Sequence, residues 1–465
     1  MSRDNNIEGE VPSTWKMASY GFTFLIETIL LIGYNIVVFY YYEVEVGLAT
    51  VLVGLSFVIY AVWNMINDPL LGYLTDKPMK WAHKYGVRKP WIIIGGIGLA
   101  ISFFLLFLPP DIDVKSNPWP IFWYMIIITC LFDTFYTIFT THYFGGFGTM
   151  FREESVRRKS SAIIRFFGNA GVIVSGAILI PFIIRYGDRT SFVRFGLIIL
   201  IVVVVCVFLA LPGVKENETV IARYMEGFEE RKKLNFWKVL KAGFKSKNFV
   251  IFLIALTMAT IASNLFQVNA IFYVRYVLRE DVQSLSYILL AYLIGGFVAI
   301  PLWFRLAKKY GTEKIWQYGL LLFGLIFLWG LIIASLLQMI IWFFFLGFCF
   351  AAYLTTFVAV MSDAYDEVTL ECGCHQEATL FGINNFFARF SYFVLAVIIA
   401  GVHISTGFVP EAEMQSPSAI WGIRLIGSIF PAIFLVSAFI VVTLWYDLTG
   451  EKKEVLKATL KEKGL

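Results

Sequence analysis

Long apolar stretches alternate with short polar, mostly basic ones along the whole chain. The apolar stretches run unbroken instead of alternating in the period-2 manner of a strand, so helix is the element they predict. A bilayer core of about 30 Å takes about 20 residues of helix. Stretches of that length fall at about 18–42, 47–75, 90–109, 119–145, 161–184, 190–211, 248–274, 283–306, 315–336, 338–362, 378–404 and 418–446. The uncharged run from Ile315 to Ser362 is too long for one span and too short for three. It predicts two spans with a tight turn near Ser335 and Gln338, which brings the total to twelve. The first 17 residues are polar, so no cleavable leader is expected.

The charges orient these spans. Lys77, Lys80, Lys84, Arg88 and Lys89 follow span 2, Arg152, Arg157, Arg158 and Lys159 follow span 4, and Arg305, Lys308, Lys309 and Lys314 follow span 8. The segment 213–247 carries nine Lys and Arg, and the tail beyond Glu451 is rich in Lys. Basic loops stay on the cytoplasmic side of a membrane, so both termini are expected there. The opposite side has few basic residues, among them Lys115, Arg189 and Arg279.

Composition narrows the class. Of 465 residues, 59% are hydrophobic and 15% charged, against about 45–50% and about 25% in soluble domains. That leaves too little polar surface for a soluble protein of this size, and the net charge of +5 is explained by the cytoplasmic loops instead of by nucleic acid. Five cysteines fit no disulfide framework. Cys372-Gly-Cys374-His375 lacks the four ligands of a metal site.

The organisation is that of an all-α polytopic membrane protein in two six-span halves. Residues 1–212 form the first half, 213–247 a cytoplasmic central loop, 248–446 the second half and 447–465 a cytoplasmic tail. Lys84-Tyr-Gly-Val-Arg-Lys89 after span 2 is repeated as Lys309-Tyr-Gly-Thr-Glu-Lys314 after span 8. Two pseudo-symmetric halves of this kind describe the major facilitator architecture.

Five ionisable residues fall inside spans: Glu27, Asp68, Asp133, Arg165 and Arg389. An ionised side chain at the bilayer centre costs about 2.5–3.5 kcal/mol on insertion scales and is a functional candidate by default. With a helical rise of about 1.5 Å per residue, all five lie in the inner half or middle of the membrane. Asp68 has Asn64 one turn before it, Asn67 beside it and Pro69 after it, which frees backbone carbonyls. A carboxylate among amide and carbonyl oxygens suits Na⁺, or a carboxylate that takes a proton. Asp133 and Thr137 make a second i, i+4 pair that Thr140 continues, and Asn385 precedes Arg389 by one turn.

The run from Trp63 through Asn64, Asn67, Asp68, Pro69 and Gly72 to Asp76, followed by Gly86-Val-Arg88-Lys89-Pro90-Trp91, resembles the glycoside–pentoside–hexuronide:cation symporter family. This is the melibiose-permease branch of the major facilitator superfamily. Tyr20-Gly21-Phe22, Asp133 through Thr137, Arg165-Phe-Phe-Gly168, Ser362-Asp363 through Glu367 and Gln376-Glu377 extend the likeness over nearly the whole chain. The resemblance implies a cation site at Asn64, Asn67, Asp68 and Thr137. It implies a substrate site near Thr28, Thr140, Arg165 and Arg389, to which the buried Glu27 and Asp133 and the neighbouring Asn385 are added as candidates. Asp76, Arg88, Asp363, Asp366 and Glu367 are read as gating residues that pair with charges of neighbouring loops. Asn64 stands where the family has a second carboxylate, and Thr28 and Thr140 stand where it has sugar-binding acids.

A cation-coupled secondary active symporter is therefore expected, driven by H⁺ or Na⁺ without a cofactor. It would carry a sugar, glycoside or uronate by alternating access and act as a monomer in the cell membrane. No metal is expected beyond a possible Na⁺ at Asp68. A carrier of lysolipids or another amphiphile on the same scaffold is the nearer alternative. An intramembrane transferase, with the acidic loop Asp363, Asp366, Glu367 and Glu371 as its only candidate site, is the distant one.

Overall fold

The computed structural model describes residues 12–75, 85–151, 154–218, 221, 236–373, 377–410 and 412–462. Among these residues all regular secondary structure is helical. Eleven helices are long and apolar enough to cross a membrane. In chain order they are Thr14–Glu45, Thr50–Gly72, Trp119–Phe147, Val156–Ile183, Arg189–Val214, Lys247–Leu278, Ser284–Tyr310, Thr312–Leu331, Leu336–Cys372, Thr379–Thr406 and Pro417–Trp445. The twelfth predicted span, third in order, is the shorter apolar helix Lys89–Leu105. Numbered 1 to 12 with that helix as span 3, these are the spans of the sequence.

Their ends follow from local chemistry. Ser335 opens span 10 by accepting from the Gln338 amide at 3.4 Å, while the Gln338 side chain accepts from the Ala334 amide at 2.8 Å. This reciprocal cap is the predicted turn between spans 9 and 10. Asp188 caps span 6 through the Thr190 amide at 3.0 Å, and Ser416 caps span 12 through the Ala419 amide at 3.2 Å. Pro90 and Pro417 sit in the first turns of spans 3 and 12, where a missing N–H costs nothing.

Span 10 corrects the sequence reading. It does not stop at Ser362 but runs 37 residues to Cys372, so Asp363, Asp366, Glu367 and Glu371 form a helical extension and not a loop. The extension persists because its acids have partners. The tail helix Gly450–Glu462 sets Lys453 against Asp363 at 2.5 Å and Glu313 at 2.6 Å, and Lys457 against Asp363 at 3.3 Å.

Burial lowers the Lys453 pKa, but its bonds to Asp363 and Glu313 outweigh that and leave it raised. A hydrogen bond from Lys452, aided by Asn248 and Lys247, holds Asp447 below the usual carboxylate range. A raised lysine contributes stability below its unfolded pKa and loses it as pH climbs past the folded value. A depressed carboxylate contributes above its unfolded pKa and loses it as pH falls. Tail docking is therefore expected to be flat from about pH 5 to about pH 9 and to loosen outside about pH 4–10.5. Lys453→Ala should weaken docking by about 2 kcal/mol, since it strips a charged hydrogen bond from a buried carboxylate. Limited proteolysis of the tail across pH reads both effects.

The packing of the spans repeats. Span 1 lies against spans 5 and 6, span 2 against 4, and span 3 against 4 and 6. Six positions later, span 7 lies against 11 and 12, span 8 against 10, and span 9 against 10 and 12. Across these two groups span 2 meets span 11, span 5 meets span 8, and span 1 meets span 7. The tightest seam is between spans 8 and 10. A Cβ on Gly295 would lie 2.0 Å from the Phe344 carbonyl oxygen, and one on Gly347 would lie 1.9 Å from that of Tyr292.

Candidate functional site

Spans 2, 4 and 11 bring the buried charges together. Thr137 donates its hydroxyl to one Asp68 carboxylate oxygen at 2.5 Å, and the Arg389 Nε lies 3.4 Å from the other. Asn64 and Asn67 do not bond Asp68. Their amides donate to the two oxygens of Asp133, at 2.7 and 3.0 Å. The same face of span 2 thus serves two carboxylates, Asp68 directly and Asp133 across the gap to span 4. Asp133 is 1% exposed, whereas the Asp68 side chain is 23% exposed. Asp133 belongs spatially with the residues of the expected cation site. Asn64 also donates to the Tyr60 hydroxyl at 3.2 Å, and its own carbonyl oxygen is buried without a partner.

Glu27 sits next to this cluster through Tyr136. The Arg389 guanidinium faces the Tyr136 ring at 5.1 Å, and the Tyr136 hydroxyl donates to Glu27 at 3.0 Å. Tyr143 donates to the other Glu27 oxygen, and Tyr20 donates to the Tyr143 carbonyl. Both Glu27 oxygens are thus engaged inside the protein.

Other expected site residues lie elsewhere or are already committed. The hydroxyls of Thr28 and Thr140 bond the carbonyls of Phe24 and Tyr136, each at 2.8 Å and one turn earlier in its own helix. Arg165 is exposed and makes no hydrogen bond or ion pair with the residues of this cluster. Asn385 is half-buried, and its neighbour Asn384 bonds the Tyr365 hydroxyl at 2.5 Å.

Arg88, Asp363 and Glu367, among the expected gating residues, have contacts inside their own groups of spans and with the tail helix. Glu216, just past span 6, takes the Val87 and Arg88 amides at 2.6 and 3.0 Å, with the Arg88 guanidinium at 3.9 Å. Glu367 accepts from the backbone and side chain of Asn248 at 3.1 and 3.0 Å, and Asp363 holds the tail lysines. Asp366 lies on the same helical extension. Asp76 falls outside the described residues.

The sequence reading missed Asn35, Tyr60 and Tyr392. Tyr392 donates to the Asn35 carbonyl oxygen at 3.1 Å, and the Asn35 amide reaches Gln267 at 3.3 Å. These bonds tie span 1 to spans 7 and 11 just beyond the charges. Asn35 is a polar residue in an apolar span, the same signal that Gln267 gives in span 7, and it could have been flagged on that ground.

Residues 16–450 match the family of MFS/sugar transport proteins. The chain belongs to that family. As a family member it is a multi-pass membrane transporter and not an enzyme. It is 22% identical to the sodium-dependent lysophosphatidylcholine symporter 1-A of Danio rerio, over 84% of this chain and 78% of that protein. It is 22% identical to the putative sulfoquinovose importer of Escherichia coli K12, over 89% and 86%. With the raffinose carrier protein of Pediococcus pentosaceus it shares 20% identity, over 88% and 64%. Among solved structures, the nucleoside transporter NupG has the same fold, with a TM-score of 0.62 at 14% identity over 94% and 100% of the two chains.

Proposed function

We propose that this family member is a cation-coupled symporter of a sugar, glycoside or uronate, working by alternating access between residues 1–212 and 248–446. The positive-inside distribution supports cytoplasmic termini and a cytoplasmic 213–247 loop in the cell membrane. The protein acts as a monomer and needs no cofactor.

The observation that carries the reading is Asp68 held between Thr137 and Arg389, with Asp133 behind it. The coupling ion takes the place of the guanidinium at Asp68, which frees Arg389 to turn toward solute above Tyr136. Buried Glu27 completes that side of the site. Na⁺ is the favoured ion. The partnerless Asn64 oxygen, the Thr137 hydroxyl and the Asp68 carboxylate are hard oxygen ligands, which a metal ion needs and a proton does not. The Asn64 amide must turn its N–H₂ to the Asp133 carboxylate, which leaves its buried oxygen as the atom without a donor. H⁺ coupling is the competing reading. One positive charge moved through 100 mV supplies about 2.3 kcal/mol, enough for roughly fifty-fold accumulation at about 1.4 kcal/mol per decade.

The engagement of both Glu27 oxygens supports a second solute class. With each oxygen already accepting from a phenol and the side chain buried, this acid is poorly placed to take a sugar hydroxyl, and an amphiphile such as a lysolipid has no need of it. Uptake into proteoliposomes tests both classes. Labelled raffinose, sulfoquinovose, glucuronate and lysophosphatidylcholine are offered under a Na⁺ gradient or an H⁺ gradient alone. Gradient-dependent accumulation of one solute under Na⁺ is expected. Accumulation under H⁺ alone would overturn Na⁺ coupling, and the absence of accumulation under either gradient would overturn symport of these classes.

A further inference from the structure

Away from the described termini, where spans 1, 5, 7 and 11 finish, lies a second set of buried charges that transport chemistry at Asp68 does not use. His403 on span 11 sets its Nδ1 3.0 and 3.1 Å from the two carboxylate oxygens of Glu43 on span 1. These side chains are 1% and 0% exposed. Thr50 donates to the same carboxylate at 2.6 Å. Phe408 stacks on the imidazole at 4.3 Å, and Phe272 meets it edge-on at 5.2 Å.

Close by, Arg275 on span 7 bonds Glu45 of span 1 at 2.9 Å. Its guanidinium is enclosed by Tyr186, Tyr276 and Tyr40, at 4.8, 5.1 and 5.6 Å from the ring centres. The Gly187 amide holds the other Glu45 oxygen at 3.0 Å. Both pairs therefore join span 1 to the second group of spans.

We propose that Glu43–His403 and Glu45–Arg275 form a two-rung latch that keeps this end shut, and that both rungs part whenever solute passes through it. On the orientation given above, this is the outer end. Two observations beyond the contacts support a moving part. Glu43 and Glu45 lie in the wide π-helical turn Tyr41–Glu45, and Arg275 lies in its counterpart Tyr273–Leu278. Such turns interrupt the regular helical ladder and gather at functional sites. The dielectric argument gives the latch two states. The Glu45–Arg275 ion pair and the hydrogen bond between the Glu43 carboxylate and His403 are both strong while dry, because electrostatic attraction scales inversely with the local dielectric. Once water enters, the same groups are solvated separately and little holds them together. Partial opening is therefore the unfavourable state.

The latch is mechanically connected to the cation site. Arg389 and His403 lie on the unbroken helix Glu377–Thr406, 14 residues apart and so about 21 Å along its axis. A tilt that separates Arg389 from Asp68 moves His403 against Glu43 as part of the same rigid rod.

Cysteine accessibility tests the latch without reference to any solute. In full-length protein whose native cysteines are replaced by alanine, Ala396→Cys serves as the outer reporter. Ala396 is fully buried, one turn below Ala400, whose Cβ faces Gly54 of span 2. Ala364→Cys, fully buried near the other end of span 10, is the control reporter. A membrane-impermeant maleimide is added to either side in turn. Glu43→Gln and His403→Phe are each expected to raise outer-side labelling at 396 by about tenfold, the worth of one buried charge-assisted hydrogen bond. Phenylalanine retains the stacking on Phe408, so packing loss is not the cause. His403→Asn returns an amide N–H to the Nδ1 position and should bring the rate back near the parent's. Labelling at 396 that stays within about twofold of parent in both variants overturns the latch. So does a parallel rise at 364, because that reports general loosening.

Discussion

Asp68→Asn should abolish concentrative uptake while leaving a folded, monodisperse protein. The substitution keeps the shape of the side chain and an oxygen for Thr137 to donate to, but it removes the charge. Arg389, 3.4 Å away, then loses its counter-charge in the gap between spans 2 and 11, and an incoming cation finds nothing to exchange with. The driving term of about 2.3 kcal/mol per 100 mV is no longer transmitted. The roughly fifty-fold gradient that it supports should collapse to equal concentrations on both sides. Solute exchange down its own gradient should survive. The measurement is steady-state accumulation in proteoliposomes under an imposed potential, and a parent-like ratio in the variant would remove Asp68 from the coupling mechanism.

The second large effect concerns spans 8 and 10. Gly347→Ala should sharply lower the yield of folded protein. The added methyl would lie 1.9 Å from the Tyr292 carbonyl oxygen, and that oxygen belongs to a helix backbone that cannot rotate away. Gly295 makes the reciprocal approach to Phe344, so relief requires the two helices to move apart along the seam. Overpacking against side chains costs about 1–3 kcal/mol. Against fixed backbone the cost is expected at about 3 kcal/mol or more. In a membrane, small residues of this kind supply the close helix contact that apolar burial supplies in water. Gly382→Ala is the control, because a Cβ there meets nothing within 4 Å. Fluorescence-detected size exclusion after heating compares the two, and equal melting behaviour would contradict the seam argument.

The spans were legible because a bilayer imposes one length and one polarity on every crossing. Where that constraint ends, so did the legibility. The charges from Asp363 onward ended the apolar signal of span 10, yet the helix continues, since Lys453, Lys457 and Asn248 satisfy those acids from segments distant in sequence. Depth could be counted along each helix, but direction could not. Arg165 and Arg389 both fall inside spans in the sequence, and only Arg389 pairs with an acid of the cluster. Asp133 stood out as a buried acid beside Thr137, but its partners Asn64 and Asn67 are on another span, and only the pairing of spans 2 and 4 reveals them. Thr28 and Thr140 looked available because a side chain bonded to its own backbone leaves no trace in sequence. The latch acids were missed for a plain reason: span 1 was ended at residue 42, which left Glu43 and Glu45 in a loop. The helix in fact reaches Glu45, and both acids are buried.

Span 3 has a consequence for the lipid around it. Its 17 residues make a rod of about 25 Å, against about 30 Å of hydrocarbon. The turns through Leu106, Phe107 and Leu108 continue the apolar rod and add about 4.5 Å. Span 3 therefore reaches across the hydrocarbon with no length to spare. Acyl chains longer than that have to shorten beside it, at a cost of fractions of a kcal/mol per Å. Activity is therefore expected to fall first in thick, long-chain membranes.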